Sequence, residues 1–195
     1  MSHSPESAEH HMADAAEDPD SRSLLLTNDH GITIDATYDD DAWEALLTPE
    51  MQAKMMAILG DAMAREGHRD VDIAVLFTNV ERMAELNETH RQKSGPTDVL
   101  SFPADDDDFL GDIAIAYDVM AQQAAEMEIS LADHCQHLLL HGALHLSGHD
   151  HLDDGEAEVM EALEIDILAT HGIANPYATP NHPQSHTRSH NGGAS

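Results

Sequence analysis

The sequence predicts one mixed α/β domain around a small four-stranded sheet. Its 195 residues, 41% of them hydrophobic, suffice for one core of ordinary size and demand no second domain. Four short stretches of strand character precede residue 117 and alternate with helical ones, whereas the chain from Asp118 to Gly172 reads as helix throughout. The flanks have too few large apolar residues to offset the entropy of ordering. Residues 1–22 therefore read as a disordered acidic tail, 23–175 as the folded domain and 176–195 as a disordered His-rich tail.

Taken in order, residues 32–38 alternate apolar and polar side chains as a half-buried strand does. Thr48 then offers an N-cap before Pro49, and Met51, Met55, Ile58, Leu59 and Met63 continue one apolar face of a helix that stops near Gly67. Val71 to Phe77 is the second strand, and Asn79 caps a short helix through Leu86. A loop containing Arg91, Lys93, Gly95 and Pro96 leads into a strand over 98–102. Asp105 to Asp108 form a solvated acidic run, and 110–116 is the fourth strand, with Gly111 marking a bulge or a close backbone approach. Asp118 opens one helix. Ser130-Leu131-Ala132-Asp133 starts the next in capping-box form, and Asp153 begins the last, whose apolar face runs through Met160, Leu163 and Ile167.

Charge and cysteine usage narrow the function classes. Against 38 acidic residues stand 8 Lys plus Arg, a formal net charge of −30, the kind of solvated acidic shell that concentrated salt makes tolerable. Lys54, Arg65, Arg69, Arg82, Arg91 and Lys93 share one segment, and no Lys or Arg occurs between Ser94 and Thr187. Any anion must be met by that segment or by a metal. The lone Cys135 forms no internal disulfide, no basic and apolar leader opens the chain, and no apolar run reaches the length of a membrane span, so a cytoplasmic location with no membrane partner is expected.

The densest chemistry is His141-Gly142-Ala143-Leu144-His145-Leu146-Ser147-Gly148-His149-Asp150-His151. Residues four apart stack on one helix face, so His141 and His145 offer two imidazoles to one ion. Gly148 ends the helix in the left-handed region and lets the chain return with His151 as a third ligand. Three protein ligands leave a tetrahedral zinc ion one open position, the catalytic arrangement, in which a bound water ionises near pH ~7. With 16 His in the chain some helical spacing arises by chance, and His134, His137 and His141 are one such set; His149 and Asp150 read as outer groups. The spacing is that of metzincin zinc proteases, yet Gly142 stands where those enzymes carry their general base. Phosphodiester cleavage, with an Arg steadying charge on phosphorus, suits such a site better.

Three ordered blocks also resemble a known family. The His141–His151 stretch, the run Leu86-Asn87 with Arg91, Lys93 and Pro96-Thr97-Asp98-Val99-Leu100-Ser101-Phe102-Pro103, and Leu110-Gly111-Asp112-Ile113 look like the signatures of the YbeY family, bacterial metal-dependent, single-strand-specific endoribonucleases of ribosomal RNA maturation. The resemblance spans about residues 70–172. It implies an α+β fold, a small mixed four-stranded sheet with about five helices and the metal site at the end of a central helix. It further implies one zinc ion on His141, His145 and His151, Arg91 acting on RNA phosphate, and single-stranded rRNA, 16S rRNA 3′ ends included, as substrate. Work on or beside the ribosome, ribosome quality control included, follows from the same resemblance. His149, His90 and Ser94 depart from the Tyr, Tyr and Asp usual there. A metzincin-like metalloprotease, revived if Asp112 or Glu156 faced the open position, and a non-catalytic metal-binding ribosome assembly factor are the alternatives.

Overall fold

A computed structural model of the chain describes residues 21–38, 40–91, 95–150 and 153–178. Its strands are β1 (Arg22–Thr27), β2 (Thr33–Tyr38), β3 (Asp72–Thr78), β4 (Val99–Pro103) and β5 (Phe109–Ala116). The helices are α1 (Asp41–Leu46), α2 (Pro49–Glu66), α3 (Val80–Arg91), α4 (Tyr117–Glu126), α5 (Leu131–Leu146) and α6 (Asp154–Thr170). The sheet order is β1-β2-β3-β5-β4, with β2, β3 and β5 parallel and the two outer strands antiparallel to their neighbours. The sheet is therefore mixed, as expected, but has five strands instead of four.

The extra strand is β1, where Leu24, Leu25 and Leu26 follow one another and hide the alternation that marks a strand in sequence. Only pairing with β2 sorts them: Leu24 and Leu26 pack against the core, while Leu25 faces out with 69% of its surface exposed. The six-residue α1 is equally short of sequence signal and is held by tertiary contacts. Asp40 caps it through the Ala42 amide, and the fully buried Trp43 packs on Phe77 and Tyr117 and donates its indole N–H to Thr78 O at 3.0 Å.

One face of the sheet supports the main core, where Ile34, Ile73, Val75, Ile113 and Ile115 meet Met55, Leu59 and Met63 of α2 and Leu139, Leu140 and Ala143 of α5. The other face is covered toward β4 and β5 by α3, whose Met83 and Leu86 pack on Leu100, Ala114 and Ala116. β5 is thus buried on both sides, which explains its near-continuous apolar run. The bulge expected at Gly111 is present: the β3–β5 register skips from Asp72↔Phe109 to Ile73↔Gly111. Gly111 has φ +133°, and a Cβ there would lie 2.2 Å from Phe102 O, so no other residue fits.

Helix α3 runs five residues further than the sequence suggests, and Arg91 is its last residue, not part of a loop. Asn79 caps its start through the Arg82 amide, and buried Asn87 donates to Gly95 O at 2.7 Å, tying the end of α3 to the approach of β4. Among the described residues no helix is long and apolar enough to cross a membrane.

Candidate metal centre

Helix α5 is the element that builds the site. Ser130 caps it by accepting from the Asp133 amide at 3.0 Å, and its body passes between the sheet, α2, α4 and α6. It closes in a Schellman motif: Gly148 N–H bonds His145 O at 3.0 Å, His149 N–H bonds Leu144 O at 3.0 Å, and Gly148 takes φ +94°. The turn expected at Gly148 is therefore formed. His151 and Lys93 lie outside the described residues.

His141 and His145 converge as expected, with their Nε2 atoms 3.1 Å apart. Their partners settle the tautomers. His141 Nδ1 sits 2.8 Å from Glu164 Oε1 and His145 Nδ1 sits 2.8 Å from His149 O, and a carboxylate and a carbonyl can only accept. Both Nδ1 atoms therefore carry the proton, and in neutral rings both Nε2 atoms present lone pairs to each other. Such a pair repels unless a proton or cation lies between them. Two tetrahedral zinc–nitrogen bonds of about 2.0–2.1 Å would hold the nitrogens about 3.3 Å apart, so the arrangement fits a metal.

Glu164 on α6 carries no signal in sequence, where it is one of 38 acids, yet it organises the site. Its side chain is fully buried and receives three donors: His141 Nδ1, His137 Nε2 at 3.1 Å and the Tyr177 hydroxyl. Burial pushes its pKa up, but those hydrogen bonds outweigh burial and hold the carboxyl at about 2, so it is ionised at neutral pH. Burial and the same carboxylate push the Tyr177 phenol well above its ordinary value.

His137, His141 and Glu164 also bring one ligand atom each within 4.8 Å of one another, which suits a cation as far as distance goes. The hydrogen bonds argue for a different division of labour: Glu164 already serves three donors, and His141 points its protonated nitrogen at it. Glu164 stands behind His141 as a hydrogen-bond acceptor, the kind of partner a metal-bound imidazole usually has. His137 and Tyr177 are thus residues beside the site that spacing alone misses, one read as part of a chance set with His134 and His141 and the other as tail. His149, read as an outer group, meets His145 through its carbonyl and Glu66 Oε2 through its ring at 3.0 Å.

Gly142, the residue that broke the protease pattern, faces the sheet. A Cβ there would lie 2.9 Å from Ile113 Cγ2 and 3.2 Å from Ser101 Oγ. It is buried at the closest approach of α5 to β4 and β5, so the position that would hold a protease's base is occupied by packing.

A family model described as "Endoribonuclease YbeY" matches residues 37–172. A relative named Endoribonuclease YbeY from Maricaulis maris is 42% identical over 146 residues, 74% of this chain and 91% of the relative. Another of that name, from Sphingopyxis alaskensis, is 44% identical over 156 residues, 73% of this chain and 93% of the relative. This chain belongs to the YbeY family. The residues that carry the resemblance fall into one region of the fold: α5 with its Schellman turn, the end of α3, β4 and the bulged start of β5. Ser101 and Ile113 from the second and third blocks are the two side chains that Gly142 admits against the first.

Beside the metal centre, His134 gives a measurable pH response. It is 3% exposed and donates Nε2–H to Gln123 Oε1 at 2.8 Å, while Gln123 donates to Asp98 Oδ2 at 2.9 Å. Burial, helped by His137 and opposed by Asp98, lowers its pKa from 6.5 to about 4. Between those values the unfolded chain binds a proton that the folded chain refuses. This contribution to stability is full above pH ~6.5 and declines by about 3 kcal/mol as pH falls to ~4, below which it changes no further. Urea denaturation from about pH 7.5 to 4 should show the loss, and His134→Gln should remove most of the slope; an equal slope in the variant would refute a neutral buried ring.

Proposed function

We propose that this chain is a metal-dependent endoribonuclease that cuts single-stranded ribosomal RNA during its maturation, 16S rRNA 3′ ends included, in association with the ribosome and in ribosome quality control. The observation that supports it most is the pair of Nε2 atoms of His141 and His145, 3.1 Å apart with both rings oriented from behind, in a chain 42% identical to a named endoribonuclease. One zinc ion, held by His141, His145 and His151, would supply Lewis acidity at the phosphodiester. Glu164 and His149 O keep the two imidazoles in the ligating tautomer. Arg91 at the end of α3 is the cation assigned to the charge that develops on phosphorus. The protease reading lacks its base, because Gly142 is packed against Ile113.

The test is an assay of the purified protein, at several salt concentrations, on single-stranded RNA and on casein. His145→Ala and Arg91→Glu are each expected to lower RNA cleavage by about 100-fold or more, with metal retained only in the Arg91 variant. Metal-dependent casein cleavage that survives Arg91→Glu would overturn the assignment.

A further inference from the structure

A cavity of about 390 Å³ opens beside the metal centre and shares His141 with it. Its character is opposite to that of a phosphate site. Among the described residues, Asp98 and Glu126 line it and neither Lys nor Arg does. Asp98 is half-buried, which raises its pKa, but hydrogen bonds from Gln123, the Val99 amide and Thr97 hold the carboxyl below its ordinary value, so it is charged. His134 and His137 beneath the cavity already direct their Nε2–H groups at Gln123 Oε1 and Glu164 Oε2, so neither ring offers that donor to an anion. An RNA phosphate is repelled here; a base is not.

The walls suit a flat ring. Val99, Met127, Leu138 and Pro176 supply apolar surface, and Tyr177 stands at the rim, 40% exposed. Its hydroxyl is held by Glu164 and its ring stands edge-on to His137, with centroids 5.5 Å apart, so it is locked before any ligand arrives. Unstacked bases of single-stranded RNA are commonly received on such aromatic surfaces, and the volume falls in the range of ligand pockets.

We propose that this cavity is a subsite for a nucleobase bearing an exocyclic amino group, adenine, cytosine or guanine, adjacent to the phosphodiester being cut. An amino group offers two hydrogens to the Asp98 and Glu126 carboxylates of the lining, whereas uracil flanks its single ring N–H with two carbonyl oxygens that face them. The subsite rests on the nuclease reading for its place in the reaction but not for its ability to bind.

Two arms separate the two claims. Oligoribonucleotides differing only in the base on either side of the cleaved bond are expected to show kcat/KM about fivefold higher for A, C or G than for U at one of the two positions. Met127→Trp, which fills the cavity, should reduce that preference to within about twofold through KM, and Glu126→Gln, a substitution at an exposed position, should weaken it. Independently, adenosine and uridine are titrated into the full-length, metal-loaded protein carrying 13C-methyl methionine. The Met127 methyl resonance is expected to shift with adenosine and not with uridine. Equal shifts, or none at millimolar adenosine, would overturn the subsite even if RNA is cleaved. A protein that cuts no RNA but answers adenosine alone would sink the nuclease reading and keep the subsite.

Discussion

Gly142→Glu, which writes the metalloprotease sequence into α5, is expected to unfold the protein instead of converting it. A Cβ at this position already lies 2.9 Å from Ile113 Cγ2 and 3.1 Å from its Cδ1, on a β-branched side chain that is fully buried. Overpacking of this kind costs about 1–3 kcal/mol, and a buried carboxylate without a partner adds several more. The sum, about 5 kcal/mol, rivals the whole stability of an ordinary domain. Gly142→Ala isolates the first contribution. Alanine gains about 1 kcal/mol of helix propensity against that clash, so a net loss of up to about 2 kcal/mol is expected. Thermal melting of both variants and a casein assay of any folded Gly142→Glu decide the matter. A Glu variant that melts with the parent would show that α5 can stand off from the sheet.

The second large effect belongs to Glu164. Glu164→Leu strands three donors, His137 Nε2–H, His141 Nδ1–H and the Tyr177 hydroxyl, in a fully buried position, at an expected cost of about 3–5 kcal/mol. Glu164→Gln keeps the shape but accepts fewer hydrogen bonds, and it is expected to weaken metal affinity by about 10- to 100-fold, the usual effect of removing an outer partner of a ligating imidazole. Tyr177→Phe removes a single donor and should change metal affinity by less than about threefold. Chelator competition measures all three, with circular dichroism reporting folding. If His137, His141 and Glu164 were themselves the ligands, His145→Ala would keep its metal and Glu164→Gln would lose it altogether; that pattern would reverse the roles assigned here.

Much of the fold was legible because local signals agreed with the tertiary outcome. Thr48 with Pro49, Ser130 and Asp153 start the helices they were expected to start, and Gly67 and Gly148 follow helix ends in the left-handed region. β1 and α1 were missed for a shared reason: three successive leucines and a six-residue helix have no readable period, and their stability comes from pairing with β2 and from the buried Trp43.

The chain alone determined the pair His141 and His145, since a four-residue separation on a helix is a local geometric fact, and it determined the turn at Gly148 that follows. Only the tertiary structure decided what stands behind that pair. Glu164 comes from a helix 23 residues away from His141 in sequence, and Tyr177 from 40 residues beyond His137. No spacing rule reaches across such gaps, because which carboxylate among 38 meets an imidazole depends on how α6 packs on α5. Gly142 changed meaning for the same reason. In sequence it is a missing base; in the fold it is the contact that lets α5, and with it both histidines, lie against β4 and β5.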